Sequence, residues 1–199
     1  MTSRAIARPR DAATLVICRE GRAGVELLMG RRAARHRFVP GHYVFPGGRV
    51  DAKDYRSPAL SPLRPEVAKQ LGRNARALAI AAVRETYEET GLVLGKLDGA
   101  ALLPSLGSLD YILRAITPSA SPIRFHARFF AVAAEEMSGT LRGNGELLDL
   151  DWRPVAECLR LPIVDVTEYL LRNLGHLQEK EKGGQAALFS FRNGRAVLR

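Results

Sequence analysis

The chain has 199 residues, 46% of them hydrophobic and 26% charged, an ordinary balance for a soluble globular protein. That balance excludes fibrous, disordered and disulfide-scaffold classes, and the length suits a single domain whose core needs no staples. Thirty Lys and Arg against 21 Asp and Glu give a formal charge of +9. The excess is concentrated early, with 12 basic and 5 acidic side chains in residues 1–60 and 18 and 16 in residues 61–199. A positive field of this kind favours a polyanionic partner, either a phosphorylated metabolite or a nucleic acid. The two cysteines, Cys18 and Cys158, have neither metal-ligand nor redox spacing, so two reduced thiols and a cytoplasmic location are expected. No apolar run reaches the length of a membrane helix, which argues against a membrane partner.

Residues 1–11 read as a basic N-terminal tail and residues 12–199 as one domain. Residues 12–18 and 25–29 are apolar or alternating runs separated by a Gly-containing turn, a hairpin signature. A basic loop, residues 31–37, leads to a short strand at 43–45 that ends at Pro46-Gly47-Gly48. Residues 52–65 are rich in Pro, Ser and charge without periodicity and read as an inserted loop, within an insertion region spanning 52–75. A helix with a break near Gly72 then runs to Thr90 and stops at Gly91. Residues 92–94 suggest a strand, 106–116 a helix ending before Pro118, 125–133 a strand, and 146–152 another strand entered through Gly143-Asn144-Gly145. Val166, Leu170, Leu174 and Leu177 recur at helical spacing, so 165–177 is an amphipathic helix, followed by a hairpin about Asn193-Gly194 that closes the 165–199 tail. Strands mixed with a few helices imply an α+β or layered α/β domain.

The residues with chemistry lie in the long helix. In RETYEETGL, residues 84–92, Glu85, Glu88 and Glu89 stand at i, i+3 and i+4, so their carboxylates share a face. Such crowding calls for a cation, and oxygen-only ligands suit hard divalent ions such as Mg²⁺. The bland alternative is a solvated acidic face with an Arg84–Glu88 pair. The full Arg-Glu-x-x-Glu-Glu-x-Gly pattern has a chance of ~10⁻⁶ per window at average residue usage, which favours the metal reading.

RETYEETGL resembles the core of the Nudix box of nucleoside-diphosphate-X hydrolases, with Thr86 where a bulky apolar residue is usual. The opening Gly of the box corresponds to Gly48 of FPGGRVD, 36 positions before Arg84, so the box is split by an insertion, and Arg76 stands where a Glu is usual. That split, with Thr117-Pro118 and Arg124-Phe125-His126-Ala127-Arg128-Phe129-Phe130, resembles the branch containing peroxisomal coenzyme A diphosphatases. The resemblance spans residues 12–152 and implies an α/β/α sandwich on a mixed β-sheet. It implies Mg²⁺- or Mn²⁺-dependent hydrolysis of a pyrophosphate bond, with Glu85 and Glu89 as principal metal ligands and Glu88 as a further ligand or water-orienting group. The Gly47 carbonyl would be a backbone ligand, and Arg84 would pair with a box carboxylate and fix its rotamer.

For the base, Glu146 is the first candidate, because many relatives carry a carboxylate shortly before a tryptophan in this strand; Glu135 and Glu136 are rivals. Arg49 is the first candidate for substrate phosphates, and Arg31, Arg32, Arg35 and Arg37, which precede the FPGG turn, could reach them too, Arg35 and Arg37 foremost, with a solvated basic loop as the alternative. His36, His42 and His126 lack metal-ligand spacing and read as structural or surface residues. Coenzyme A or an acyl-coenzyme A is the first substrate candidate, with ADP-ribose, dinucleotides and nucleotide sugars as alternatives. A nucleotide-binding module without activity is a rival that the intact carboxylates oppose. A nucleic-acid partner is not expected, since no basic-aromatic pattern is present, and a homodimer is what analogy with the fold implies.

Overall fold

The computed structural model describes residues 7–181, 186–192 and 195–198. In chain order the strands are β1 (Arg10–Gly21), β2 (Gly24–Arg32), β3 (Tyr43–Val44) and β4 (Gly47–Arg49). Helix α1 (Pro65–Leu71), a 3₁₀ turn at Gly72–Asn74 and helix α2 (Ala75–Thr90) follow. Next come β5 (Leu92–Val93), β6 (Gly95–Asp98), β7 (Ala101–Pro104), β8 (Asp110–Ile116), β9 (Phe125–Ala133), β10 (Ser138–Gly139) and β11 (Leu147–Pro154). The chain ends with α3 (Val155–Cys158), α4 (Asp165–Glu181), β12 (Ala187–Arg192) and β13 (Arg195–Leu198).

The main sheet has the order β11-β2-β1-β9-β8-β12-β13, with β3 added to β2 and β4 to β1. It is mixed: β1 runs parallel to β9 and β8 parallel to β12, while the remaining neighbours are antiparallel. Both faces are covered, which is why its central strands read as near-continuous apolar runs. Ala13, Leu15 and Ile17 of β1, with Phe130 and Val132 of β9, pack against Leu78, Ile80 and Val83 of α2. The alternate residues Val16, Met29, Ile112, Phe129 and Ala131 pack against Leu170, Leu171, Leu174 and Leu177 of α4. Burying each of these leucines contributes about 1.5–3 kcal/mol. The result is the α/β/α layering that the sequence predicts.

Three expectations change. Residues 110–116 form a strand, not the end of a helix, and pair with β9 and β12. Tyr111, Ile112 and Leu113 are all buried, so both faces of the strand are apolar and the alternation that marks a strand disappears. The β6–β7 hairpin was not expected; Gly99, at φ 58°, lies in the tight connection between its strands. At the start, β1 begins at Arg10, so Arg10 and Asp11 belong to the sheet and not to a basic tail. The Asn193-Gly194 turn lies outside the described residues, but the strands on either side pair antiparallel, with Arg192 opposite Arg195. Among the described residues no helix is long and apolar enough to cross a membrane.

The partners of β1 position the site. Residues Cys18, Arg19, Glu20 and Gly21 pair with β2, whereas Ala12, Ala13 and Thr14 pair with β4. Between those registers β1 and β2 diverge, and the inserted segment packs against α2, the end of β7 and the loop that follows it. Ser61 accepts the amides of Leu106 and Gly107 on its hydroxyl, Leu60 donates to Pro104, and Arg76 of α2 donates to the Ser57 carbonyl.

His126, on β9, shows how a buried histidine bears on stability. Burial, then Arg128 and Arg114, push it down to about 4, with Asp11 opposing. Arg114 Nε donates to its Nε2 at 2.5 Å, a contact only the neutral ring can accept there. Between the unfolded value of about 6.5 and the folded value the unfolded chain binds the extra proton, so this residue lowers stability as pH falls through that window. Denaturant titrations of wild type and His126→Gln at pH 7 and pH 4.5 should show the variant losing less stability, or gaining more, on acidification. Identical pH dependence in the two proteins would refute the assignment.

Candidate active site

Helix α2 holds the acidic residues because almost everything else on it is buried. Ala77, Leu78, Ala79, Ile80, Ala81, Ala82 and Val83 are each 3% exposed or less, and the run of alanines brings the helix close to its neighbours. Thr86, in the usually apolar position, is fully buried and donates its hydroxyl to the Ala82 carbonyl at 2.8 Å. The internal hydrogen bond lets a threonine fill that site. The helix ends at Gly91, whose φ of 75° and amide bond to the Tyr87 carbonyl make the expected left-handed cap.

Glu85 and Glu89, one turn apart, both line a cavity of about 630 Å³ in the fork between β1 and β2. Glu89 is only 3% exposed and accepts the Gly47 amide at 2.9 Å. Burial pushes its carboxyl up to about 8, the Gly47 amide opposing and Glu85 reinforcing the shift. Glu85 is raised too, first by burial, against the pull of Arg84. Gly47 is required by close approach, since a Cβ there would lie 2.6 Å from Thr14 Cα, whereas a Cβ on Gly48 would lie 2.6 Å from both Glu85 carboxylate oxygens and displace them.

Arg84 organises the acidic face. Its Nη1 donates to Glu85 at 2.8 Å and to Glu88 at 3.0 Å, and its Nη2 donates to the Arg49 carbonyl at 3.1 Å. Its Nε and Nη2 reach the two carboxylate oxygens of Asp54 at 2.8 and 3.0 Å, a bidentate pair in which Asp54 is fully buried. Asp54 also accepts the Asp51 amide. Sequence reasoning missed Asp54; its signal was a pair of aspartates at the start of the insertion, just after the Gly-Gly turn.

The other expected residues divide. Glu88 turns away from the cavity, held by Arg84 and by Lys53 at 3.3 Å, so it does not converge with Glu85 and Glu89 as one shared helical face implies. Positions i+3 and i+4 lie on either side of the helix line through Glu85, and only i+4 faces the cavity. Gly47 meets the acidic residues through its amide. Glu146, just before β11, lines the cavity, whereas Glu135 and Glu136 are exposed and outside it. Arg49 lines the cavity. Arg35 instead donates to the Gly145 carbonyl at 2.7 Å, and Arg37 is exposed and away from the lining. Of the four arginines that precede the Gly-Gly turn, Arg32 is the one that lines the cavity, and His36, expected as a structural or surface residue, lines it too. Period-2 alternation along β2 carries the signal for Arg32, which shares a face with Leu28, a residue packed against α2.

Among the described residues no three His, Cys, Asp or Glu side chains are arranged together to hold a metal. A buried Glu89 raised by burial and by Glu85, beside a half-buried Glu85 raised by burial, is nonetheless a site short of positive charge. Such a donor set fits a hard divalent ion that completes its shell with backbone carbonyls, water and substrate phosphate. The same cavity has an apolar wall of Phe38, Phe125, Phe129, Phe189 and Phe191, with Phe38 and Phe125 in an edge-to-face contact at 4.9 Å.

Removing Asp54 leaves Arg84, itself 11% exposed, without its buried partner. Asp54→Ala should destabilise the fold by about 3 kcal/mol in a denaturant titration, whereas a change below about 1 kcal/mol would show that the pair is not structurally coupled. Gly48→Ala should leave a folded protein with Glu85 displaced and, in a metal-dependent assay, turnover reduced by more than about ten-fold.

The NUDIX domain family model matches residues 8–174, which extends past the region of resemblance into α4. The fold is similar to the NUDIX hydrolase of Alicyclobacillus acidocaldarius, with 28% identity, a TM-score of 0.70 and coverage of 91% of this chain and 99% of that one. It is also similar to the MutT NUDIX hydrolase of Burkholderia pseudomallei (21% identity, TM-score 0.53, 83% and 98% covered). A third similar fold is the NUDIX domain of Shewanella oneidensis NrtR, determined with ADP ribose (14%, 0.56, 85% and 88%). The first carries the argument beyond fold; the other two show the fold alone. With the box on α2 and the family model spanning most of its length, the chain belongs to the NUDIX domain family and is an enzyme of it, a pyrophosphohydrolase.

Proposed function

We propose that the enzyme hydrolyses the pyrophosphate bond of a nucleoside diphosphate linked to a second group, with coenzyme A or an acyl-coenzyme A as the first substrate. The observation that carries this reading is a single cavity lined both by Glu85, Glu89 and Glu146 and by an aromatic, apolar chamber wall. A diphosphate flanked by a nucleoside and a bulky, partly apolar arm matches that combination. The split box and the Thr117-Pro118 and 124–130 segments support the coenzyme A branch; Thr117, Pro118, Phe125 and Phe129 all line the chamber. ADP-ribose, dinucleotides and nucleotide sugars share the same diphosphate and form the second reading.

Family members generally use divalent metal ions. Here Glu85 and Glu89, with the Gly47 carbonyl, would hold Mg²⁺ or Mn²⁺, and Glu88 would contribute only after release from Arg84 and Lys53. When bound, the ion supplies charge neutralisation at the bridging phosphates and a lowered pKa for bound water. Arg84, locked by Asp54, fixes the Glu85 rotamer. Glu146, at the cavity wall, accepts a proton from the attacking water. The water oxygen forms a bond to one phosphorus, the bond from that phosphorus to the bridging oxygen breaks, and the leaving phosphate carries away the electron pair. One water is consumed and two monophosphates are released, from coenzyme A a 3′,5′-phosphoadenosine and a phosphopantetheine. The chain's own contribution is positioning and charge stabilisation.

A product-resolved screen of coenzyme A, an acyl-coenzyme A, ADP-ribose, NADH and diadenosine polyphosphates with Mg²⁺ or Mn²⁺ tests the reading. Metal-dependent turnover of one class is expected, reduced by at least about 10³-fold in Glu89→Gln while ligand binding is largely retained. Folded, metal-supplemented wild type that turns over none of them, or a Glu89→Gln variant with undiminished turnover, would refute it. Glu146→Gln should lower kcat by about 10²-fold or more if Glu146 is the base.

A further inference from the structure

Half of the 124–130 segment is not used by the cavity. Phe125, Ala127 and Phe129 of β9 line it, so by period-2 alternation His126 and Arg128 lie on the opposite face of the sheet, the face on which Phe130 and Val132... pack against α2 is shared by them. Neighbouring strands place further polar residues there. Asp11 of β1 is the register partner of His126, and Arg114 of β8 is the register partner of Arg128. Directly opposed residues of an antiparallel pair share a face with Cβ atoms about 4.5–5.5 Å apart, and like charges in that position are destabilising.

The protein relieves this repulsion only in part. Arg128 Nη1 donates to Asp11 and to the His126 carbonyl, both at 2.7 Å. Arg114 Nε donates to the neutral His126 ring. Among the described residues Arg114 forms no ion pair, and Asp11 is the carboxylate that pairs with Arg128. Two guanidiniums against one carboxylate leave a positive charge in excess. Arg114 Nη1 and Nη2 and Arg128 Nη2 make no hydrogen bond among the described residues. On the same face of β8, Tyr111 is 4% exposed, and its hydroxyl also makes no hydrogen bond among the described residues. Burial raises the Tyr111 phenol while Arg128 and then Arg114 lower it, so the hydroxyl lies in the field of both guanidiniums. Unpaired polar groups in such a setting are uncommon unless a ligand or water completes them. The His126, Arg128 and Asp11 side chains are half-buried, which leaves an approach from solvent.

We propose that Arg114, Arg128 and Tyr111 form an oxyanion site on the α2-side face of the sheet, taking a phosphate-type anion on the free Nη donors and the tyrosine hydroxyl. Planar guanidinium forks suit the oxygens of such an anion, and one bound anion removes the repulsion between the register partners. Phe125 and Phe129 belong to the cavity on the other face of β9, so the thickness of the sheet separates the two sites. The inference does not depend on the hydrolase reading.

The test titrates full-length protein in EDTA with inorganic phosphate and, in parallel, with AMP, read by calorimetry and by ¹⁵N NMR of the histidine rings and arginine Nε atoms. EDTA leaves the acidic end of the cavity without a cation to hold phosphate there. Phosphate should bind with a Kd of about 1 mM or tighter and shift the His126 and Arg114 signals, while His36, at the cavity, stays unchanged. AMP that shifts the same signals extends the ligand to phosphate monoesters, and AMP without effect restricts it to the free anion; phosphate binding supports the site in both cases. Arg114→Gln should weaken phosphate binding by about ten-fold or more and Tyr111→Phe by about three-fold, with Arg114→Lys intermediate and Arg49→Gln, at the cavity, without effect. If Arg114→Gln does not fold, Tyr111→Phe and the wild-type shifts decide. No His126 shift in wild type at phosphate about ten-fold above that Kd, shifts confined to His36, or wild-type affinity in a folded Arg114→Gln protein would each overturn the proposal.

Discussion

A buried Glu89 and a half-buried Glu85 place two carboxylates one helical turn apart at the cavity, and the rest of the site answers to that constraint. Like charges at this spacing repel, and burial removes the solvent that would screen them. Four local devices respond. Arg84 lies against Glu85 and is itself fixed by a fully buried Asp54. The Gly47 amide meets Glu89, and the absence of side chains at Gly47 and Gly48 lets the strand come within reach. Arg32 contributes a positive field from β2. The remaining deficit of positive charge is what a divalent cation and its phosphate-bearing ligand would remove.

This arrangement depends on the fold through one topological feature, the change of partner along β1. Were β2 paired with β1 over the whole length of both strands, there would be no room between them for ligand. Because β4 takes over at Ala12, Ala13 and Thr14, the Gly-Gly turn arrives beside the acidic end of α2. The same divergence frees the end of β2 and the loop after it to carry Arg32 and His36 toward the acids. The second helical layer, α4, and the added strand β12 close the other side, with Phe189 and Phe191 forming part of the apolar wall. The C-terminal segment is thus part of the cavity and not an appendage to it.

The layered fold was legible because its long elements carry strong periodic signals: the β1–β2 hairpin, the box helix with Gly91 as its stop, and the leucine stripe of α4. Strand β8 was not, because burial on both faces erased its alternation. At the site, the helix spacing identified Glu85 and Glu89 as neighbours but could not show that Glu88 would be captured by Arg84 and Lys53. Proximity in sequence to the Gly-Gly turn suggested Arg31, Arg32, Arg35 and Arg37, yet of the four Arg32 lines the cavity, while Arg37 is exposed and Arg35 sits on the Gly145 carbonyl. Asp54 acts through a contact between segments that no local pattern encodes, whereas His36 reaches the cavity because the chain turns back beside Arg32 after β2. The charge excess of the first 60 residues likewise resolves into individual arginines, several of them already paired within the fold.

The central claim is that Glu85 and Glu89 together form the cation site of the cavity. Mn²⁺ binding followed by electron paramagnetic resonance, in wild type and in a folded Glu85→Gln/Glu89→Gln double variant, tests it most directly. The account predicts a bound Mn²⁺ in wild type that the double variant loses, with Glu88→Gln losing much less. Equal Mn²⁺ binding in wild type and the double variant would contradict it.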